Sequence, residues 1–186
     1  RHRVDSKRGD LRHVAALRIY TTAAFKVLNA PLRRRWGERP HPFPVTVSLL
    51  AEAINRLRAV HAHEASAQSE IDLWRGMRGV KETDEFMAHG GTELAPMSTT
   101  TDVDVALRYS AGRSSLLLKL STNSFMARGA SLYFLSAFPA ENETLYPPLT
   151  FLRPSGKREA LSFVDNATGE IHSLRIIEVV PHFGST

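Results

Sequence analysis

Apolar residues recur at three- and four-residue spacing in the first third of the chain and give way to short, strand-like runs after it. The clearest helical stripe is Val47, Leu50, Ile54, Leu57 and His61, which turns one face inward just beyond Pro40, Pro42 and Pro44. An earlier helical pattern begins near Leu11 and breaks between Trp36 and Pro44, with Asp10 and Thr22 as the expected N-caps of its pieces. From Ala62 to Glu70 the chain is a polar, alanine-rich connector. Beyond it the pattern predicts strands at Ile71 to Arg75, Ser115 to Leu120, Ala130 to Phe138, Leu145 to Leu152, Glu159 to Val164 and Ile171 to Val180. Short helices are expected from Thr83 to Ala88 and from Val103 to Tyr109, the second capped by Asp102, and Asn166-Ala167-Thr168-Gly169 is expected to turn. Helices followed by strands predict an α+β fold, with a helical lobe over residues 10–65 and a mostly antiparallel β-core over 70–183, in one domain spanning 1–186.

Composition narrows this reading without changing it. With 186 residues and 42% hydrophobic content the chain supports one domain with a real core. The net charge of +5 and pI near 9.9 suit an anionic ligand, but the basic residues are scattered apart from Arg33, Arg34 and Arg35. No basic stripe interleaved with aromatics is present, so nucleic acid is not an expected partner. The absence of cysteine removes disulfides, thiolate metal sites and a cysteine nucleophile. His61 and His63, two apart near a helix end, point to different faces and are read as surface or packing residues, so no metal is expected. The longest apolar runs are strand-sized, so no membrane span is expected, and Arg1 to Arg12 lacks the apolar core of a signal peptide. The first residue is not methionine, and a monomeric domain of a larger protein is the expectation.

No G-x-S-x-G, P-loop, H-E-x-x-H or G-x-G-x-x-G motif occurs, yet three segments carry candidate chemistry. In Leu73-Trp74-Arg75-Gly76-Met77 an arginine ends an apolar strand and a glycine follows it. Such an arginine is ordinarily a surface ion-pair partner; its planar fork also suits a pyrophosphate, and the glycine lets a flat ligand approach the backbone. The stretch from Gly90 to Thr101 holds more hydroxyls than a turn needs, among them Ser98, Thr99 and Thr100. These are either plain strand and cap residues or donors that hold a ribose and fix a neighbouring carboxylate. In Phe138-Pro139-Ala140-Glu141-Asn142-Glu143 the two glutamates are two apart, which in an extended chain puts both on one face, where they titrate as a coupled pair; the plain alternative is an acidic loop in water.

Arginine, then Ser-Thr, then Glu-x-Glu, separated by 23 and 45 residues, resembles the arginine-specific branch of the mono-ADP-ribosyltransferases, which includes eukaryotic ectoenzymes and bacterial toxins. The likeness runs from Leu17 to Val179; the third motif position is Thr100 where many members have serine. It implies a β-core of two packed sheets holding the NAD site, and transfer of ADP-ribose from NAD to an exposed arginine of an acceptor protein with release of nicotinamide. By the family pattern Glu143 is the pivotal carboxylate, Ser98 orients it, Arg75 clamps the phosphates, and Gly76, Thr99 and Thr100 complete the NAD site. Glu141 receives the incoming guanidinium and Phe138 is the aromatic of the acceptor-recognition turn, while Tyr109 is a candidate either for nicotinamide stacking or for helix packing. An NAD glycohydrolase and a non-catalytic protein-binding module remain as alternatives. Sequons at Asn142 and Asn166, the first lying between the two glutamates, favour an intracellular or injected effector over a secreted protein.

Overall fold

The computed structural model describes residues 2–34, 39–61, 69–112, 114–164, 169 and 171–183. The chain opens with three helices: α1 (His2–Tyr20), α2 (Phe25–Leu32) and α3 (Pro44–His61). Proline suits the first position of α3, because its missing N–H would have no partner inside the helix. The apolar stripe of α3 is realised as buried Leu50, Ala53 and Ile54 with Leu57 packed beside them. Ala16, Leu17 and Tyr20 of α1 and Leu28 of α2 meet that stripe, and Ala130, Leu132 and Leu145 from the β-region complete the cluster. Leu50 and Ile54 are fully buried, each contributing about 1.5–3 kcal/mol by removal of apolar surface from water.

Asp10 lies inside α1 rather than at its start, because the helix continues through the polar stretch that precedes the apolar stripe. Periodicity registers only that part of a helix that buries a face. Thr22 is not the N-cap of α2, a position held by Ala24. Its hydroxyl donates to the Ile19 carbonyl at 2.7 Å and accepts the Ala24 N–H at 3.3 Å, which closes the turn between the two helices.

The strands are β1 (Ile71–Arg78), β2 (Gly91–Glu93), β3 (Met97–Thr100), β4 (Ser114–Thr122), β5 (Ala130–Ser131), β6 (Glu143–Tyr146), β7 (Thr150–Val164) and β8 (Ile171–His182), with α4 (Asp84–His89) and α5 (Val103–Ser110) between them. Both short helices have the side-chain caps their sequences call for, from Thr83 onto Phe86 N–H and from Asp102 onto the N–H groups of Asp104 and Val105. Pairing joins all eight strands into one sheet, in the order β2-β7-β8-β4-β1-β3-β6-β5, instead of the two sheets expected. Every pair is antiparallel except β4 with β8. Continuity rests at one place on a single register pair, Trp74 with Thr100, so β1 and β3 share only one point of strand pairing. A second core lies on this sheet, built from Leu73, Met97, Leu116, Leu118, Leu120, Tyr146, Leu152, Ile177 and Val179, with Phe86 and Met87 of α4 against it.

Two expected strands are cut short. Only Ala130–Ser131 of the run to Phe138 is strand; the rest turns, with Leu135 and Ser136 N–H both donating to the Leu132 carbonyl. Its aromatic content reads as strand, but Arg18 of α1 donates to the carbonyls of Leu135 and Ser136, and Thr21 accepts the Ala137 N–H, which holds the segment as a loop. The run from Leu145 to Leu152 breaks at Pro147 and Pro148, which have no N–H for the ladder, and Leu149 takes a φ of +65° before β7 begins. The connector from Ala62 to Glu70 and the turn at Asn166 to Gly169 fall almost wholly outside the described residues, Gly169 contributing a φ of +71°. No described helix is long and apolar enough to cross a membrane.

Candidate active site

Register places the first two functional groups. Antiparallel pairing sets Thr100 opposite Glu143 and Ser98 opposite Leu145, so the period of two turns Ser98 and Glu143 to one face, while Met97 and Tyr146 turn into the second core. Ser98 Oγ then reaches diagonally and donates to Glu143 Oε1 at 2.6 Å. Glu143 is 9% exposed. Burial pushes its carboxyl above the ordinary value, the Ser98 hydrogen bond pulls it back, and the nearby Glu141 raises it further.

Glu141 arrives by a different route from the one expected. The chain there is not extended: Pro139–Glu141 is a single 3-10 turn and Asn142 adopts the left-handed conformation at φ +46°, a region asparagine tolerates. The turn nevertheless brings Glu141 to the same cavity as Glu143. Thr100 fixes its backbone, donating to the Glu141 carbonyl at 2.7 Å and accepting the Asp102 N–H at 3.0 Å. Its carboxylate accepts from Tyr109 Oη at 2.9 Å. The Tyr109 phenol is pushed up to about 12 by partial burial, by that hydrogen bond and by the charges of Glu141 and Glu143.

Arg75 stands where β1 parts from β3. Its Nη1 donates to the Ser98 carbonyl at 2.9 Å, and Nη2 lies 3.8 Å from Glu93 Oε2 with the side chain 18% exposed. Burial lowers the guanidinium's affinity for its proton, and Glu93 opposes that effect. Glu93 itself receives a two-pronged contact from Arg33 of the α2 C-terminus, at 2.9 and 3.1 Å, and the Ala95 N–H at 3.0 Å. One carboxylate therefore sits beside two guanidinium groups, both lining the cavity. Gly76 lines it as well, and a Cβ there would lie 1.9 Å from the Ala106 carbonyl oxygen, so the close seating of α5 on β1 requires glycine.

The cavity measures about 490 Å³, within the range of small-molecule sites, and brings together Arg75, Gly76, Ser98, Glu141 and Glu143. Thr99, Thr100 and Phe138 also line it. The Thr99 hydroxyl is spent on the Thr144 carbonyl at 2.8 Å and that of Thr100 on the Glu141 turn, so these two build the wall through the backbone. Phe138 precedes the turn and is exposed. The helical segment supplies further lining that the sequence pattern does not announce: Tyr20, Phe25, Asn29 and Arg33, with Tyr20 Oη donating to the Pro96 carbonyl and Asn29 Nδ2 to Tyr20 Oη. The Arg33-Arg34-Arg35 run was the one available signal, and nothing in its spacing tied it to Glu93. Among the described residues no group of three His, Asp or Glu is placed to hold a metal.

No protein-family model matches the sequence, and no curated protein sequence matches it significantly. Solved structures do. Plx2a, an ADP-ribosyltransferase toxin from Paenibacillus larvae, superposes with a TM-score of 0.61 at 15% identity, over 90% of this chain and 85% of that one. The ADP-ribosyltransferase HopU1 of Pseudomonas syringae gives 0.62 at 20% identity, over 90% and 76%. The ADP-ribosyltransferase Vis from Vibrio splendidus, in complex with agmatine, gives 0.57 at 19% identity, over 90% and 74%. At these identities the likeness is one of fold, and the fold of this chain is that of the bacterial ADP-ribosyltransferases.

Proposed function

We propose that this chain is a single-domain, NAD-dependent mono-ADP-ribosyltransferase that modifies protein arginine. The observation that carries the reading is the buried Ser98–Glu143 pair at 2.6 Å, in a cavity whose rim holds a second glutamate and whose wall holds a guanidinium. In this reaction the bond between ribose C1′ and the nicotinamide nitrogen breaks, and nicotinamide leaves as a neutral base with the electron pair. An acceptor nitrogen forms the new bond to C1′ and gives up one proton. Positive charge builds on the ribose as the bond breaks, so a fixed carboxylate favours the transition state over the ground state.

Each residue has a role in this scheme. Glu143 holds the 2′-hydroxyl of the nicotinamide ribose and faces the growing charge, and Ser98 keeps its carboxylate aimed. Arg75, with five N–H donors and one spent on Ser98, binds the pyrophosphate, and the Gly76 backbone meets the nicotinamide amide. Glu141 takes the incoming guanidinium and accepts its proton, next to the exposed Phe138 that meets the acceptor protein. Agmatine, found bound in Vis, carries the same guanidinium as an arginine side chain, which supports an arginine acceptor here.

The test is NAD turnover with and without agmatine, following nicotinamide release and labelled ADP-ribose on the acceptor. Glu143→Ala is expected to abolish both reactions, and loss of one well-aimed electrostatic contact costs about 10²–10³ in rate. Glu141→Ala is expected to lose transfer and keep some hydrolysis. Full transfer by the Glu143 variant would overturn the reading.

A further inference from the structure

The cavity's two glutamates are each held by a hydroxyl from a different element. Ser98 of β3 donates to Glu143 Oε1, and Tyr109, in the last turn of α5, donates to Glu141 Oε1 at 2.9 Å. The two carboxylates are separated in chain by only one residue, yet their donors come from opposite ends of the β3–α5 segment.

The phenol does something the backbone anchors do not. Thr100 fixes the main chain at Glu141, which settles where its Cα sits. It leaves the torsions of the side chain free, and a glutamate loses appreciable rotamer entropy when a ligand orders it. A partner that holds the carboxylate beforehand removes that cost from binding. Tyr109 is placed to do this: it is 56% exposed, so apolar burial does not account for a tyrosine there, and its hydroxyl has a specific partner in the cavity rim. Partial burial and the Glu141 hydrogen bond push the phenol up to about 12, so it is a protonated donor at neutral pH. A carboxylate has about four lone-pair sites, so one bond from Tyr109 still leaves room for a guanidinium fork.

We propose that Tyr109 is the positioning residue for the acceptor: its hydroxyl presets the Glu141 carboxylate for a guanidinium and thereby sets the partition of ADP-ribose between acceptor and water. This rests on the arginine-directed reading given above. Ser98 and Tyr109 then serve separate halves of one reaction, the first on the NAD side and the second on the acceptor side.

The experiment is Tyr109→Phe beside wild type, with agmatine as acceptor and nicotinamide release followed in both its presence and its absence. The KM for agmatine is expected to rise about tenfold, as suits loss of a hydrogen bond to a charged group, and the ratio of transfer to hydrolysis to fall with it. A second readout needs no turnover: in protein labelled at the tyrosine ζ-carbon, the Tyr109 signal, identified by its loss in Tyr109→Phe, is expected to titrate at lower pH in Glu141→Gln. Wild-type NAD cleavage with an unaltered KM for agmatine in Tyr109→Phe overturns this proposal alone, as does a Tyr109 titration indifferent to Glu141→Gln. A wild-type protein that releases no nicotinamide from NAD overturns the functional reading and this proposal together.

Discussion

Replacing Ser98 by alanine tests the link between register and chemistry most directly. The substitution removes one oxygen from β3, leaving its neighbours Met97 in the second core and Thr99 bonded to Thr144, so the strand is expected to keep its place. What is lost is the 2.6 Å bond to Glu143. A hydrogen bond to a charged group is worth about 1.5–3 kcal/mol. If that bond holds the carboxylate in its working orientation, the rate of nicotinamide release falls about 10- to 100-fold at neutral pH. The pH dependence carries independent information. Burial raises the Glu143 carboxyl and the Ser98 bond lowers it, so removing the bond moves it upward. Since the ionised form is required, the acidic limb of the rate profile shifts to higher pH, and the loss is greater in acid than in alkali. Fluorescence of a cleavable NAD analogue across the pH range reads both effects, with Ser98→Thr, which keeps a hydroxyl, as the partial rescue. A Ser98→Ala protein with an undiminished rate and an unmoved acidic limb would refute the reasoning.

Two further outcomes follow from the same geometry. Because burial raises the Glu143 carboxyl in the folded chain, the fold holds more protons than the unfolded chain between the ordinary and the raised value, and stability falls as pH rises through that window. Glu143→Gln is therefore expected to melt at a higher temperature than wild type at neutral pH and to lose that advantage below the window; equal melting points at neutral pH would count against it. Gly76→Ala sets a Cβ 1.9 Å from the Ala106 carbonyl oxygen, so α5 must shift away from β1. A loss of about 1–3 kcal/mol in denaturant unfolding is expected, together with weaker NAD binding by titration calorimetry, and wild-type values of both would show that α5 yields freely.

What could be read from the sequence was local. The stripe on α3, the Asp102 cap and the order of Arg75, Ser98 and Glu143 all depend on spacing within or between short segments, and the structure draws those three residues to one cavity. What could not be read depends on partners distant in the chain. Arg33 finds Glu93 60 residues away, and Tyr109 finds Glu141 32 residues away, with nothing in either neighbourhood to announce the pairing. The loop after Ala130 shows the same limit from the other side. Leu132, Tyr133 and Phe134 have strand-forming side chains, but Arg18 of α1 and Thr21 just after it decide the backbone, and Tyr133 and Phe134 end in solvent.

The dependence of the site on β3–β6 register makes the buried side of those strands part of the chemistry. A slip of one residue would send Ser98 and Glu143 to opposite faces, since side chains alternate with a period of two. Apart from Thr99, which also lines the cavity, the groups that resist such a slip lie away from it. Met97 and Tyr146 are fully buried in the second core, and Thr99 donates to the Thr144 carbonyl. Gly129 packs so close to β6 that a Cβ would fall 2.5 Å from the Leu145 carbonyl oxygen. Both strands are only four residues long, so pairing along them is a weak constraint, and the apolar side must supply the rest. On this account the cavity face is free to carry a buried, proton-hungry carboxylate, which costs stability, because Met97 and Tyr146 recover that stability on the other face of the same strands.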